Sequence, residues 1–395
     1  MVRSRLVRAG LLVTVAAGAV WVISGVGLAT ADSDRVSESG RTLHVLPTDS
    51  GAFDISWVEQ STGRYFLADR TNAAVQWFSL AGDVNGDAFA ASLGKGQFVG
   101  PGPQTASCIA SHACGGPNGV VTDKQHRVWA GDGPVNGTNS IKMIDLPVSQ
   151  SVTKSIPLGG TLRADELAYD PNDQVIEIAS DADGFVSFVS TVPGGEGLAS
   201  TFYYKDNDVG KGASAPGTAA ESTAGNGIEQ PVWDNKTGRF YQAIPGTPKT
   251  PGPATTGRVD VFTPGGTFVR SFKADGCDGG PTGLVLTDID QLIGACGNGG
   301  LVMDVHNGHV ITIIRQVGGA DEVWFNPGDG NAYFAMSGTG QLGVVDAERD
   351  RFVTTLPTQA GSHSVAAYQS RTNQILVPLA GNGVRVFVSP GKDQD

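Results

Sequence analysis

The sequence predicts an all-β fold, a seven-bladed β-propeller whose closing blade is completed by an N-terminal strand. Three observations lead there: a composition suited to short strands and turns, a strand–turn–strand unit written seven times, and a final unit that is one strand short. The chain carries 56 Gly and 21 Pro with only 17% charged residues, and no long run of helix-forming Ala, Leu, Glu and Lys. Short strands joined by tight turns are the expected outcome.

The repeat is plainest in "ADELAYDPNDQVIEIAS" (164–180) and "ADEVWFNPGDGNAYFAMS" (320–337). The same pattern recurs in "FDISWVEQSTGRYFLAD", "NGVVTDKQHRVWAGD", "EQPVWDNKTGRFYQAI", "TGLVLTDIDQLIGAC" and "HSVAAYQSRTNQILVPLA". The copies open at Phe53, Asn118, Asp165, Glu229, Thr282, Asp321 and His363, spaced 39 to 65 residues apart, a period that belongs to repeat architectures. Each copy reads as a short strand, a turn such as "STGR", "NKTGR" or "PGDGN", and a second strand. Most are followed by two further strand candidates, as in "GRVDVFTPGGTFVRSFKA", so that four antiparallel strands make one blade. The last copy ends after "GVRVFVS" with three strands. "RTLHVLP", Arg41 to Pro47, has the alternation to supply the fourth and so remove an exposed edge.

The repeats resemble the YVTN-type family of bacterial propellers. "RYFLAD", "RVWAGD" and "NAYFAMS" stand where that family writes its tyrosine-valine-threonine-asparagine signature, and "DPNDQ" and "NPGDGN" match its inter-strand turns. The signature itself is intact in none of them, so the resemblance implies a fold rather than an activity.

Ahead of the repeats, Arg3, Arg5 and Arg8 precede an uncharged run from Ala9 to Ala31 that ends in "ATA". Residues 1–31 read as a secretory signal, or as a membrane anchor if retained, and the small-residue triplet favours cleavage. Residues 32–40 are then a short flexible N-terminus and residues 41–395 a single propeller domain, secreted or held at the cell surface and expected to be monomeric. Contact with a membrane is expected only through an uncleaved leader. The net charge of −12 argues against a nucleic-acid partner. Cys108, Cys114, Cys277 and Cys296 suit an oxidising compartment. Their spacing suggests Cys108 with Cys114 and Cys277 with Cys296, although four cysteines permit three connectivities.

In a propeller the first strand of each blade lines the central channel, so the residues that open the copies converge at one mouth. Asn118, Asp165, Glu166, Glu229, Asp321, Glu322 and His363 are the candidate site, with Gln230 and Asp54 beside them. Alternation along a strand sends only one of each Asp-Glu pair squarely toward the axis. Carboxylates crowded together raise one another's pKa unless a cation intervenes. Calcium or another divalent cation is therefore the cofactor to expect, with zinc admitted by His363, against the plainer alternative of solvated channel residues. The connections 81–117, 205–228 and 245–256 are expected at the same mouth.

Other signals are weaker. Asp83, Asn85 and Asp87 in "GDVNGDAF" begin like a calcium loop but lack its Gly and closing Glu. "DADG" (181–184) and "DNDVG" (206–210) are polar turns that would hold calcium weakly at best. Trp57, Trp77, Trp129, Trp233 and Trp324 fall in strands of different blades and are expected to pack between them. No GxSxG elbow is present, which points to a platform that binds a protein or small-molecule partner. The alternative is a hydrolase resembling the gluconolactonase-like propellers. There Glu166 or Asp165, Asn118, Glu229 and Asp321 would hold a divalent ion and His363 would serve as base.

Overall fold

Each sequence copy supplies the two inner strands of a sheet, and the strand pairs that follow supply the outer two. In the computed structural model, which describes residues 36–45, 47–80, 89–102, 115–204, 227–246, 256–370 and 372–392, the strands form seven four-stranded antiparallel sheets. The innermost strands of blades one to seven are Phe53–Glu59, Val120–Thr122, Leu167–Asp170, Pro231–Asp234, Leu284–Leu286, Val323–Asn326 and Ala366–Tyr368. Each contacts the innermost strand of the next blade, and the seventh contacts the first, so the blades close a ring. They belong to one compact unit, Asp34–Asp395.

The core follows from strand alternation, because successive side chains leave a strand on opposite faces. In blade one, Tyr65 and Leu67 pack toward blade seven while Phe66, between them, packs toward blade two. The same division runs round the ring and leaves one buried apolar cluster at each of the seven blade-to-blade interfaces. Trp129 and Trp77 fill such interfaces as expected. Trp57, Trp233 and Trp324 also pack against the blade-to-blade clusters and, lying on innermost strands, line the channel as well.

The ring closes through the N-terminal segment, from an earlier starting point than the sequence suggests. The closing strand is Ser37–Leu43, antiparallel to Val384–Val388, with a register shift between Glu38 and Arg41. Gly40, in the left-handed region at φ 73°, makes that shift accessible. Val45, read as part of the strand, is buried beyond its end in the cluster between blades seven and one. Residues 1–35 lie outside the described residues.

The direction of the strands decides which connections reach which end. Innermost strands begin at one mouth, so the links between blades and the turns between second and third strands lie there too. Residues 94–102 and 115–119 enter and leave that mouth, whereas the end of the third strand of blade one at Ser79 and the start of its outer strand at Phe89 lie at the opposite end; residues 81–88 lie outside the described residues. Cys277 and Cys296 form a disulfide that ties the outer strand of blade four to the second strand of blade five at this mouth. Cys108 and Cys114 lie outside the described residues, as do Asp83, Asn85, Asp87 and the segment 206–210.

Candidate functional site

Four backbone hydrogen bonds draw the opening residues of neighbouring blades together: Gly119 N to Asp165 O at 3.0 Å, Gln230 N to Thr282 O at 3.3 Å, Gly283 N to Asp321 O at 2.7 Å, and Glu322 N to His363 O at 3.2 Å. Where the following blade carries an Asp-Glu pair, the donor is glycine. A Cβ on Gly119 would stand 2.5 Å from Asp165 O, and one on Gly283 would stand 2.6 Å from Asp321 O. The two echoed Asp-Glu copies are thus each seated against a glycine of the blade before, which explains the "NG" and "TG" of copies two and five.

Two arginines that the sequence reading passed over organise the mouth. Arg70 comes from the turn after the second strand of blade one. It pairs with the buried Asp54 and donates from Nε and Nη2 to Asn118 Oδ1 at 3.0 and 2.7 Å. The Asn118 amide group in turn donates to Gly115 O and Ala164 O at 3.1 and 2.7 Å. Arg163, just before the opening of copy three, lies 2.6 Å from Asp165 Oδ2, 3.6 Å from Asp181 Oδ2 and 3.9 Å from Asp54 Oδ2. The signal for Arg70 and Asp181 was positional: turns between second and third strands open at the same mouth as the innermost strands.

His363 completes the cluster. Its Nε2 stands 3.5 Å from Asp54 Oδ1, its Nδ1 is 2.9 Å from Gly361 O, and its ring stacks on Phe53 at 4.9 Å between centroids. Burial disfavours its charge, but Asp54, Asp321 and the Gly361 carbonyl raise its pKa to about 9. Burial raises Asp54, yet Arg70, His363 and Arg163 together hold it far below the usual carboxylate range. Asp165 is pushed up to about 7 by burial, which Arg163 only partly offsets. Burial raises Asp181, Asp321 and Glu229 as well.

Glu166 and Glu322 turn inward, as alternation requires, and meet across the channel from blades three and six. Burial raises both well above the carboxylate range, and neighbouring carboxylates add to it, Glu322 and Glu229 for Glu166 and Asp321 for Glu322. Glu229 and Asp321 are partly buried, and among the described residues neither side chain has a hydrogen bond or ion pair.

The residue set does not fit a divalent cation. Asn118 is committed to Arg70 and two carbonyls, Asp165 to Arg163, and among the described residues no three His, Cys, Asp or Glu side chains are placed to hold a metal ion. The positive charge that crowded carboxylates need is supplied instead by two guanidinium groups, each resistant to deprotonation.

No family model and no curated protein matches this chain, so the YVTN-type likeness stays a likeness of repeats. The fold itself is shared with solved structures. The WD40 β-propeller domain of Doa1 is 14% identical with a TM-score of 0.59, over 90% of this chain and 97% of that one. The computationally designed Ika8 protein is 12% identical with a TM-score of 0.53, over 85% of this chain and 83% of that one. The chain shares the β-propeller fold of these structures, here with seven blades.

Proposed function

We propose that this propeller is a binding platform, acting outside the cytoplasm, whose charged mouth receives a cationic group from its partner, such as a lysine or arginine side chain. The observation that carries this reading is the pair Glu229 and Asp321. Asp54, Asp165 and Asp181 lie within 4 Å of an arginine, whereas these two are partly buried and make no side-chain hydrogen bond or ion pair among the described residues. A hydrogen-bonding cation there would offset the burial, and the neighbouring carboxylates, that raise both. Against the alternative of a metal-dependent hydrolase stands the engagement of Asn118 by Arg70 and of Asp165 by Arg163, which occupies two of the ligands it would need.

Binding of a short lysine-rich peptide tests the reading, with the lysine-acetylated peptide as uncharged control. The expected result is binding that weakens with salt, fails with the acetylated peptide, and drops at least tenfold in a Glu229→Gln, Asp321→Asn variant. Equal binding of both peptides, or an unaffected variant, refutes it.

A further inference from the structure

Beyond the Glu166–Glu322 pair the channel holds a cavity of about 260 Å³, lined by both glutamates and, further in, by aromatic rings. Its walls include Trp57, Tyr169, Trp233 and Trp324, all partly exposed, and the residues lining it include no Lys, Arg or His. These rings are held in place. Trp57 Nε1 donates to Thr122 Oγ1 at 3.1 Å, Trp57 and Trp324 meet edge to face at 5.3 Å, and Trp233 packs on Phe240 at 4.7 Å. At the head of the cavity, Glu166 is 5% exposed and its Oε2 atom has no hydrogen-bond partner.

A buried carboxyl group without a cation, facing a chamber of aromatic rings, is a costly arrangement for an empty structural core. It is a favourable one for a guest that is cationic and apolar at once. Ring faces attract positive charge without needing hydrogen-bond donors, while a primary ammonium would leave its three donors unmet against indole. At roughly the 30 Å³ that one water occupies in the liquid, the chamber has room for about nine non-hydrogen atoms.

We propose that the channel binds a small alkylated ammonium ion, its alkyl groups against Trp57, Tyr169, Trp233 and Trp324 and its charge toward Glu166 and Glu322. The rings supply shape and polarisable faces and the carboxyl pair supplies the charge preference. Its lining includes neither Glu229 nor Asp321, to which the partner's cation must donate hydrogen bonds.

The test compares choline with its uncharged carbon isostere dimethylbutanol, titrated into the full chain and followed by tryptophan fluorescence and calorimetry. The two probes share shape, so a difference reports charge alone. Choline is expected to bind saturably and at least tenfold more tightly than the alcohol. Glu322→Gln and Glu166→Gln should each remove most of that preference while leaving the alcohol unchanged, and Trp324→Leu should weaken choline at least tenfold. Trp324→Leu should leave binding of the lysine-rich peptide as it is, which separates failure here from failure of the platform reading. Equal affinities for the two probes, or no saturable choline binding at millimolar concentration, overturns the proposal without recourse to any variant.

Discussion

At the end where the innermost strands begin, the channel is a lattice of charge: Asp54 with Arg70, Asp165 with Arg163, His363 over Asp54. A few residues further along the same strands the side chains are Trp57, Tyr169, Trp233 and Trp324. The same repeat builds both ends, so the difference comes from what each end can reach. The first mouth collects inter-blade links and second-to-third-strand turns, which deliver Arg70, Arg163 and Asp181 to neutralise buried carboxylates. The aromatic end is reached by the turns between first and second strands, and its rings pack on neighbouring strands while leaving a face to the channel. Ion pairs occur at the rim of that end too, where Arg127 meets Asp123 and Glu196, but the residues lining the aromatic chamber include no cation.

The largest expected effect removes the comparison altogether. Deleting Ser37–Leu43 strips the five paired positions that close blade seven and exposes the apolar interface with blade one. A loss of more than about 3 kcal/mol is expected from lost burial and ladder bonds. Chemical denaturation should show one cooperative transition at lower denaturant, with both ends of the channel loosened together. Two separate transitions would show that the ring does not depend on its closing strand.

Next in size is a change confined to the charged end. Arg163→Met leaves Asp165, Asp181 and Asp54 short of a buried counterion, and a cost of about 3 to 5 kcal/mol is expected. Adding Asp165→Asn should recover part of it, which a denaturation cycle of the two single variants and the double one reads directly. At the aromatic end, Trp324→Ala should cost about 2 kcal/mol, less than for a fully buried ring because Trp324 is partly exposed. It should leave the pH response of the mouth unchanged. Coupling of Trp324→Ala to Arg163→Met beyond about 0.5 kcal/mol would mean that the two ends are not independent.

The pH response carries the signature of the charged end. Asp165, raised from 3.8 to about 7, binds a proton in the folded chain that the unfolded chain has already released, so its effect on stability turns unfavourable as pH rises through that interval. Glu166, Glu229 and Glu322 are raised in the same direction. His363, raised from 6.5 to about 9, contributes stability below the lower value and loses it as pH climbs through the higher. Asp54, lowered, acts oppositely, with its contribution lost only as pH falls below the ordinary carboxylate range. Melting temperature should therefore be higher near pH 5 than near pH 9, and Glu166→Gln should flatten the slope. A melting temperature that increases over that range would contradict the buried, partly protonated mouth. The smallest effect belongs to Glu229→Gln near pH 5, where the buried carboxyl keeps its proton and has no ion pair to lose among the described residues; near pH 9 the variant should be the more stable chain, because the raised carboxyl then costs the parent stability.

Much of this was present in the sequence. Period-two alternation and turn residues determined the strands, seven in-phase copies determined the blade count, and the missing last strand announced closure by the N-terminus. The start of each copy also named residues that do converge: Asn118, Asp165, Glu166, Glu229, Asp321, Glu322 and His363 all lie at the same end of the ring. Alternation foretold that one member of each Asp-Glu pair would turn to the axis, and Glu166 and Glu322 do. What only the tertiary structure decided is who partners whom. Repeat spacing places a residue at a height along the channel but says nothing about distance across it, so the meeting of Glu166 with Glu322 depends on the radius at which seven blades close. Arg70 and Arg163 lie outside the repeated positions, in connections whose course no periodicity dictates. Their charge, brought in by the chain's path and not by its pattern, turned an expected metal site into a lattice of ion pairs.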